Sequence, residues 1–149
     1  MPTDREALRA QILKHEGEVL HAYQDSLGYW TIGVGRLVDK RMGGGISHDE
    51  AMVLLDHDLD ACVADLEARF TWFSKLDAIR QRALIDLRFN LGSSGLLQFK
   101  HLLAALEAGD FDAAAQALVA SKWHGQVGAR AARVEHMVRT GLDPDGQTA

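Results

Sequence analysis

The chain has 149 residues, about the length of one domain that can bury a core of its own. Hydrophobic residues make up 47% and charged residues 25%, which excludes a disordered, collagen-like or disulfide-scaffold protein. Because the net charge is −5 and no apolar run is long enough to span a membrane, we expect a water-soluble domain that binds no nucleic acid and does not insert into a membrane.

The first predicted element is a helix that ends near Glu16. Thr3 and Glu6 have the spacing of a capping box, and Leu8 and Ile12 follow at helical intervals. The start of the chain is charged and amphipathic, without the basic end and apolar block of a cleavable secretory signal. We therefore expect no signal peptide at this end.

A small antiparallel hairpin is predicted next. Residues 23–28 have the composition of a turn, and residues 29–35 are rich in aromatic and β-branched side chains. Gly33 and Gly35 would weaken an ordinary strand. They suggest a place where the backbone and a ligand come close.

A long helix follows and is predicted to end near Arg69. Ser47 and Glu50 form a second capping box at its start. Apolar residues recur along it at three- and four-residue intervals, at Ala51, Leu55, Leu59, Cys62 and Leu66. Cys62 is the only cysteine, so no intrachain disulfide can form, and its place on the apolar stripe predicts a packed, inert thiol. A helix of this length can join two lobes.

The rest of the chain has a helical pattern with four breaks. The breaks fall at Ser74, at 92–95, at 109–110 and at 125–128. Each helical segment carries an apolar stripe, which we assign to the core with no cofactor implied. Residues 143–147 have no apolar anchor and are expected to be frayed.

Two carboxylates and a threonine stand at informative places around the hairpin. Glu16 lies at a helix end, where negative charge is disfavoured, and with partial burial it is placed to stay protonated. Asp25 lies in a wetter turn and should remain ionised. Glycosidic cleavage needs such a pair, one group to protonate the leaving oxygen and one to activate water, which Thr31 could hold. On spacing alone, a solvated surface pair is the favoured interpretation, because most Glu and Asp residues at this separation are simply exposed to solvent.

Three consecutive runs of residues form a more specific pattern. They are Glu-Gly at 16–17, Tyr-x-Asp at 23–25 and Gly-x-x-Thr-x-Gly-x-Gly at 28–35. This pattern resembles the start of the phage-type lysozymes, the endolysins with which tailed bacteriophages open their hosts. Further matches extend the resemblance to roughly residues 5–141, at 82–85, 89–92, 121–123, Arg130, Arg133 and 139–141.

The resemblance implies a mainly helical α+β, lysozyme-like fold. In such a fold a long helix joins a small β-hairpin lobe to a larger helical lobe, with a cleft between the lobes. For this chain it implies one lysozyme domain over 1–149. The expected parts are a β-lobe at 17–46, a connecting helix at 47–69, a helical lobe made of 1–16 and 70–142, and a tail at 143–149.

The implied activity is hydrolysis of the β-1,4 bond between N-acetylmuramic acid and N-acetylglucosamine in bacterial peptidoglycan, with inversion at the anomeric carbon. Glu16 then matches the general acid, Asp25 assists the attacking water, and Thr31 positions it. No cofactor is implied. No metal is expected either, because Val19 stands where a zinc-protease signature starting at His15 needs its second histidine.

Four further residues are candidates for substrate contacts, each with a structural alternative. Trp30 could stack on a sugar ring or face away from the substrate. Phe89 is expected to pack within the helical lobe. Asn90 could contact substrate amide groups or make a structural turn bond, and Arg130 could pair with Glu16 or be a solvated helix residue.

Arg36 departs from the family pattern, in which histidine often follows the Gly-x-Gly run. Since arginine stays charged at all relevant pH values, we expect it to pair with a carboxylate of the long helix, such as Asp58. The loop at 37–46 is also short compared with some relatives. Because of this short loop, the sequence does not predict the size of the β-lobe or any substrate contacts made there.

The expected partner is the glycan strand of peptidoglycan, bound by a monomer. The resemblance implies synthesis in the host cytoplasm and action on the cell wall after release by a separate, holin-type partner that permeabilises the membrane. Two other functions stay open. A lytic transglycosylase would protonate the same bond without using water, against which Asp25 and Thr31 argue, and a silent module would bind cell-wall glycan without cutting it. A structural protein without a ligand is the least favoured.

Overall fold

The computed structural model describes residues 4–38 and 45–146. In these ranges the chain is mainly helical, with a small three-stranded antiparallel sheet near its N-terminus. The predicted α+β class is therefore confirmed. Contacts divide the chain into two compact units, Met1–Leu54 and Leu55–Ala149. The predicted lobe boundaries stay predictions.

Helix α1 (Arg5–Glu16) opens the first unit. Asp4 caps it, because its Oδ1 accepts the amide of Ala7 at 3.0 Å. The helix ends where predicted, at Gly17, whose φ of +73° is a conformation that glycine adopts without strain. Thr3, the residue expected to cap the helix, lies outside the described residues.

The sheet of the first unit has the order β1 (Val19–Gln24), β2 (Trp30–Gly33) and β3 (Arg36–Leu37). Strands β1 and β2 form the predicted hairpin, which is confirmed. The short third strand was not predicted from sequence, because two residues are too few to show an alternating pattern.

Helix α2 (His48–Arg69) begins with the predicted capping box. The amide of Glu50 donates to Ser47 Oγ at 3.2 Å, and the amide of Ser47 donates to Glu50 Oε2 at 3.3 Å. Cys62 is buried, as expected for a packed thiol. None of the helices in the described ranges is both long enough and apolar enough to cross a membrane.

The second unit continues with a short 3₁₀ turn and a series of helices. They are 3₁₀ Phe73–Lys75, α3 Ala78–Leu97, α4 Lys100–Ala108, α5 Phe111–Val119, α6 Lys122–Val127 and α7 Ala129–Thr140. Gly92 interrupts α3 with φ +73° and ψ 171°, at the predicted break. Gly125 lies inside α6, so the last break is at Gly128 alone.

The core of the second unit is built from the apolar faces of these helices. Its buried members include Leu66, Phe73, Leu84, Leu87, Leu96, Leu102, Leu106, Leu118, Trp123, Val134 and Val138. These residues recur at the intervals that the sequence pattern predicted for core stripes.

Two arginines join separate helices of this unit. Arg88 Nε lies 2.6 Å from Asp65 Oδ2 and so links α3 to α2, and Arg69 Nε lies 2.7 Å from the other oxygen. The hydrogen bond from Arg88, with a smaller contribution from Arg69, lowers the pKa of Asp65 to about 2. Arg80 donates to the carbonyls of Val138 and Arg139 at 2.7 and 3.0 Å, which ties the start of α3 to the end of α7.

The tail is not frayed where the structure describes it. Arg82 Nη2 lies 2.9 Å from Asp143 Oδ2, and Arg133 pairs with Asp145. The amide of Asp145 and the Arg82 guanidinium lower the pKa of Asp143. The expectation of a frayed tail is therefore wrong for residues 143–146, because charged contacts replace the missing apolar anchor.

Candidate active site

Glu16 is the last residue of α1, and its carboxyl group lies against Gly35. A Cβ atom at position 35 would stand only 2.6 Å from Glu16 Oε2, and φ at Gly35 is +68°. The hairpin register explains the contact. Val19 lies opposite Gly33, so the residues just before β1 face the turn just after β2. The close approach predicted at this glycine is thus an approach of Glu16 to the backbone.

Glu16 is exposed to solvent, so the expected partial burial is wrong. The cause is local, since α1 contains no buried residue. The carboxyl group rests on a glycine backbone on one side and is open to solvent on the other. A substrate oxygen would have direct access to it.

Asp25 occupies the turn between β1 and β2 and builds that turn itself. Its Oδ1 accepts the amides of Leu27 at 2.9 Å and Tyr29 at 2.8 Å. Its carbonyl accepts the amide of Gly28 at 3.0 Å. Such an Asx turn fixes the orientation of the carboxylate. Within the described ranges no donor binds Oδ2, which leaves that oxygen to accept a proton from outside the turn.

Thr31 lies in the middle strand, opposite Tyr23 on one side and Leu37 on the other. It is 3% exposed and is the one buried polar residue among those described. Its Oγ1 donates to the carbonyl of Tyr29 at 3.0 Å. Because the hydroxyl proton is used there, the lone pairs of Oγ1 remain to accept a hydrogen bond.

Strand β2 therefore organises all three candidate residues. Asp25 is bound to the turn before the strand, Thr31 lies within it, and Glu16 contacts the turn after it. The set comprises an exposed carboxyl group, an oriented carboxylate and a hydroxyl acceptor, which is suited to acid–base chemistry with water. In the part of the chain that the structure describes, no three His, Cys, Asp or Glu side chains are grouped as a metal ion would require.

The two aromatic candidates are both exposed. Trp30 is 47% exposed and lies beside Thr31 on β2. Phe89 is 43% exposed, so the prediction that it packs within the helical lobe is wrong. The inward face of α3 includes Leu87, and a residue two positions further along a helix points about 200° away from it.

Asn90 and Arg130 have partners that sequence reasoning did not name. Asn90 Oδ1 accepts the indole Nε1 of the buried Trp123 at 2.8 Å, so the alternative of a turn bond is wrong. Arg130 is not simply solvated, because its Nε and Nη2 both lie 2.7 Å from Asp86 Oδ1. Contacts across 33 and 44 residues of sequence leave no local signal by which they could be found.

Arg36 pairs with the long helix, as predicted, but the partner is Glu50 rather than Asp58. Arg36 Nη2 lies 2.6 Å from Glu50 Oε2, whereas Asp58 lies beside His57. The correction follows from the short connection between β3 and α2, which brings Arg36 to the first turn of the helix. The capping-box role of Glu50 was the signal that marked it as belonging to that turn.

Comparison with known proteins gives a consistent result. The family model described as Phage lysozyme matches residues 13–139. Probable T4-type lysozyme 1 of Dictyostelium discoideum is 29% identical over 152 residues, which cover 85% of this chain and 89% of that protein. The Endolysin of Acyrthosiphon pisum secondary endosymbiont phage 1 is 30% identical over 112 residues, or 75% of this chain and 73% of that protein.

A larger protein also contains a similar segment. The Pre-baseplate central spike protein Gp5 of Enterobacteria phage T4 is 30% identical over 173 residues. The match covers 95% of this chain but only 29% of that protein. The similarity thus recurs both in proteins of comparable length and as one part of a longer chain.

Proposed function

This chain belongs to the phage lysozyme family of peptidoglycan-hydrolysing glycoside hydrolases, and we propose that it cuts the β-1,4 bond between N-acetylmuramic acid and N-acetylglucosamine with Glu16 as general acid. Asp25 and Thr31 direct the attacking water in this proposal. The observation that carries it is the attachment of all three residues to strand β2.

The acid step needs a proton donor that can reach the glycosidic oxygen. Glu16 is exposed on one side and supported by Gly35 on the other. In the proposed step its proton passes to the leaving oxygen as the bond to the anomeric carbon breaks. The developing positive charge on the sugar ring is then stabilised by the carboxylate of Asp25.

The water step uses the acceptors that the turn leaves available. The hydroxyl of Thr31 donates a hydrogen bond to the carbonyl of Tyr29, so its oxygen is left to accept a hydrogen bond from one O–H group of the water. Asp25 Oδ2 accepts the other and takes up that proton as the water oxygen bonds to the anomeric carbon. Proton exchange with solvent then returns Glu16 and Asp25 to their starting states.

The arrangement favours inversion at the anomeric carbon. Inverting enzymes place their two carboxyl groups about 6.5–9.5 Å apart to make room for water, whereas retaining enzymes place them about 5–5.5 Å apart. Glu16 and Asp25 are attached at opposite ends of a four-residue strand, whose end Cα atoms are roughly 10 Å apart. The attachment of Glu16 and Asp25 at opposite ends of the strand supports the wider carboxyl separation, which is that of inverting enzymes.

Substrate contacts belong to the same proposal. Trp30, exposed next to Thr31, stacks on a sugar ring, and the exposed ring of Phe89 offers a second apolar surface. The amide nitrogen of Asn90 and the guanidinium of Arg130 supply polar contacts. Similarity to an endolysin supports action on the cell wall. The proposal adds that the chain acts as a monomer after release from the cytoplasm by a membrane-permeabilising partner.

The test compares wild type with Glu16→Gln on purified peptidoglycan. We expect wild type to clear the suspension and the variant to be slower by about a thousandfold, because the amide of glutamine is not acidic enough to transfer a proton to the leaving oxygen. Glu18→Gln is the matched control, since it removes an exposed carboxylate two residues away and should retain full activity.

Product analysis separates the alternatives. NMR of the first product is expected to show the inverted anomer. An anhydro-sugar seen by mass spectrometry would identify a lytic transglycosylase instead. Binding of glycan by wild type without any cleavage would identify a silent module, and full activity of Glu16→Gln would remove Glu16 from the mechanism.

A further inference from the structure

We propose that Arg36 is a positioning residue, whose guanidinium holds the β2–β3 turn in the place where Gly35 supports the carboxyl group of Glu16. The inference rests on the proposed function, because it assigns Arg36 a role in the step that Glu16 performs. It concerns a residue that touches neither Glu16 nor the reacting atoms in the mechanism above.

The guanidinium of Arg36 makes contacts on two neighbouring segments. Its Nε and Nη2 donate to the carbonyl of Gly45 at 3.0 and 2.8 Å. Its Nη2 also lies 2.6 Å from Glu50 Oε2 in the first turn of α2. The planar fork of arginine suits this double contact better than a single ammonium group would.

The contacts of Arg36 compensate for the shortness of β3. That strand has two residues, Arg36 and Leu37, which pair with Ile32 and Thr31 of β2. Gly45 closes the arrangement, because its amide donates to the carbonyl of Leu37 at 2.8 Å while its carbonyl accepts from Arg36. The side chain thus adds contacts with Gly45 and Glu50 to a strand of only two residues.

The anchored strand begins directly after the residue that contacts the general acid. Gly35 precedes Arg36 in the chain, and an added Cβ at Gly35 would collide with Glu16 Oε2 at 2.6 Å. A shift of β3 would therefore move the surface on which the Glu16 carboxyl group rests. Displacements on the order of 1 Å in a catalytic group lower rates by as much as a hundredfold.

Arg36 contributes to the position of the β2–β3 turn more than to the stability of the fold. Both side chains of the ion pair are about half exposed, 48% for Arg36 and 46% for Glu50, and exposed pairs contribute little to folding. Loss of Arg36 should therefore reduce kcat in a chain that remains folded. Substrate affinity, measured as KM, should change little, because Arg36 does not contact the glycan.

The experiment measures kcat and KM of the full chain on soluble, uncrosslinked peptidoglycan strands. We expect Arg36→Ala to lower kcat by about tenfold with KM within twofold, and Arg36→Lys, which keeps the charge but lacks the planar fork, to recover only part of the loss. Arg139→Ala is the matched control, since it removes a similarly exposed arginine that pairs with Glu135 in the last helix. It should keep wild-type kcat.

Two further measurements keep the test decisive. Glu50→Gln removes the charge that Arg36 pairs with but keeps an oxygen acceptor for the capping box, and should lower kcat by about threefold even if Arg36→Ala does not fold. The backbone amide resonance of Glu16, which is far from position 36 in the sequence, should shift in Arg36→Ala and stay in place in Arg139→Ala. This second readout does not depend on activity.

The outcomes separate this inference from the proposed function. If wild type does not cut the strands, both are overturned. If wild type cuts, Glu16→Gln does not and Arg36→Ala has wild-type kcat, the role of Arg36 alone is wrong. A rise in KM with unchanged kcat would also overturn it.

Discussion

Tyr29 and Asp25 are joined by two hydrogen bonds. The amide of Tyr29 donates to Asp25 Oδ1, and the amide of Asp25 donates to the carbonyl of Tyr29, both at 2.8 Å. The same carbonyl accepts the hydroxyl of Thr31 at 3.0 Å. The backbone N–H and C=O of one residue, Tyr29, therefore set the orientation of both residues that we assign to the attacking water.

This geometry predicts different effects for two substitutions of Asp25. Asparagine keeps an oxygen acceptor for the two amides, so Asp25→Asn should lower activity by about a hundredfold with stability nearly unchanged. Asp25→Ala loses the acceptor as well and should also lower the free energy of unfolding by about 1–2 kcal/mol. Turnover of soluble glycan strands and urea unfolding measure the two effects. Equal stability of the two variants would contradict the structural part of the prediction.

Thr31 is expected to act through its hydroxyl rather than its shape. Thr31→Val has a similar volume but no hydroxyl, and should lower activity by about tenfold or more and stability by about 1 kcal/mol. Thr31→Ser keeps the hydroxyl and should retain activity within a fewfold of wild type. The comparison is made on the same substrate with both variants. Equal activity of valine and serine would exclude a role for Oγ1.

Gly35 and Gly33 form a natural pair of test positions. Their φ angles are +68° and +69°, but an added Cβ meets Glu16 only at position 35 and has nothing within 4 Å at position 33. Both alanine variants should lose about 1 kcal/mol from backbone strain. Only Gly35→Ala should lose activity, because the flexible Glu16 side chain has to swing away from its support.

The matching measurement for these glycines is thermal unfolding alongside glycan turnover. We expect Gly33→Ala and Gly35→Ala to have similar melting temperatures, and only Gly35→Ala to have reduced activity. If Gly33→Ala lost as much activity as Gly35→Ala, the contact with Glu16 would not be the cause.

The lowered pKa of Asp65 predicts that the free energy of unfolding falls at acid pH. Its pKa is lowered to about 2 in the folded chain, first by the hydrogen bond from Arg88, against an ordinary value of 3.8. A lowered folded-state pKa means that the contribution is fully present above about pH 4 and is lost as the pH falls towards 2. For a side chain that is 21% exposed, we expect about 1–2 kcal/mol after allowance for solvent screening.

The measurement is urea unfolding of wild type and Asp65→Asn between pH 5 and pH 2. The stability of wild type should approach that of the variant as the pH falls. Asp60→Asn removes an exposed carboxylate of the same helix and is the control. A difference between wild type and Asp65→Asn that is constant across the range would show that the ion pairs do not stabilise the fold.

Asn90 is expected to matter for stability through Trp123. Asn90→Leu removes the acceptor of a buried indole and should cost about 1–3 kcal/mol, whereas Asn90→Asp keeps an acceptor and should cost less. Unfolding followed by tryptophan fluorescence measures the loss. If leucine and aspartate were equally tolerated, the hydrogen bond would be unimportant.

Much of the first unit could be predicted because its determinants are local. The end of α1, the capping box of Ser47 and Glu50, and the β1–β2 hairpin all depend on residues within a few positions of one another. The candidate site shares this property. Glu16, Asp25 and Thr31 lie within one stretch of chain that folds back on itself, so their spacing in the sequence already indicates that they lie near one strand.

The contacts that sequence reasoning missed are those between distant residues. Arg130 binds Asp86 across 44 positions, and Arg88 binds Asp65 across 23. The exposure of Phe89 was likewise mispredicted. An aromatic residue in a helix packs inward or faces solvent according to what surrounds it, and its own sequence window does not contain that information.

Hydrogen bonding within a few residues and the periodicity of apolar side chains were enough to predict most element boundaries, and the resemblance to the phage-type lysozymes implied the class of fold and the residues proposed for chemistry. Only the tertiary structure decided which carboxylate Arg36 binds, which backbone Glu16 rests on and which side chains are exposed. The physical reason is that these depend on the register of paired strands and on helix packing, which bring together groups that the sequence keeps apart.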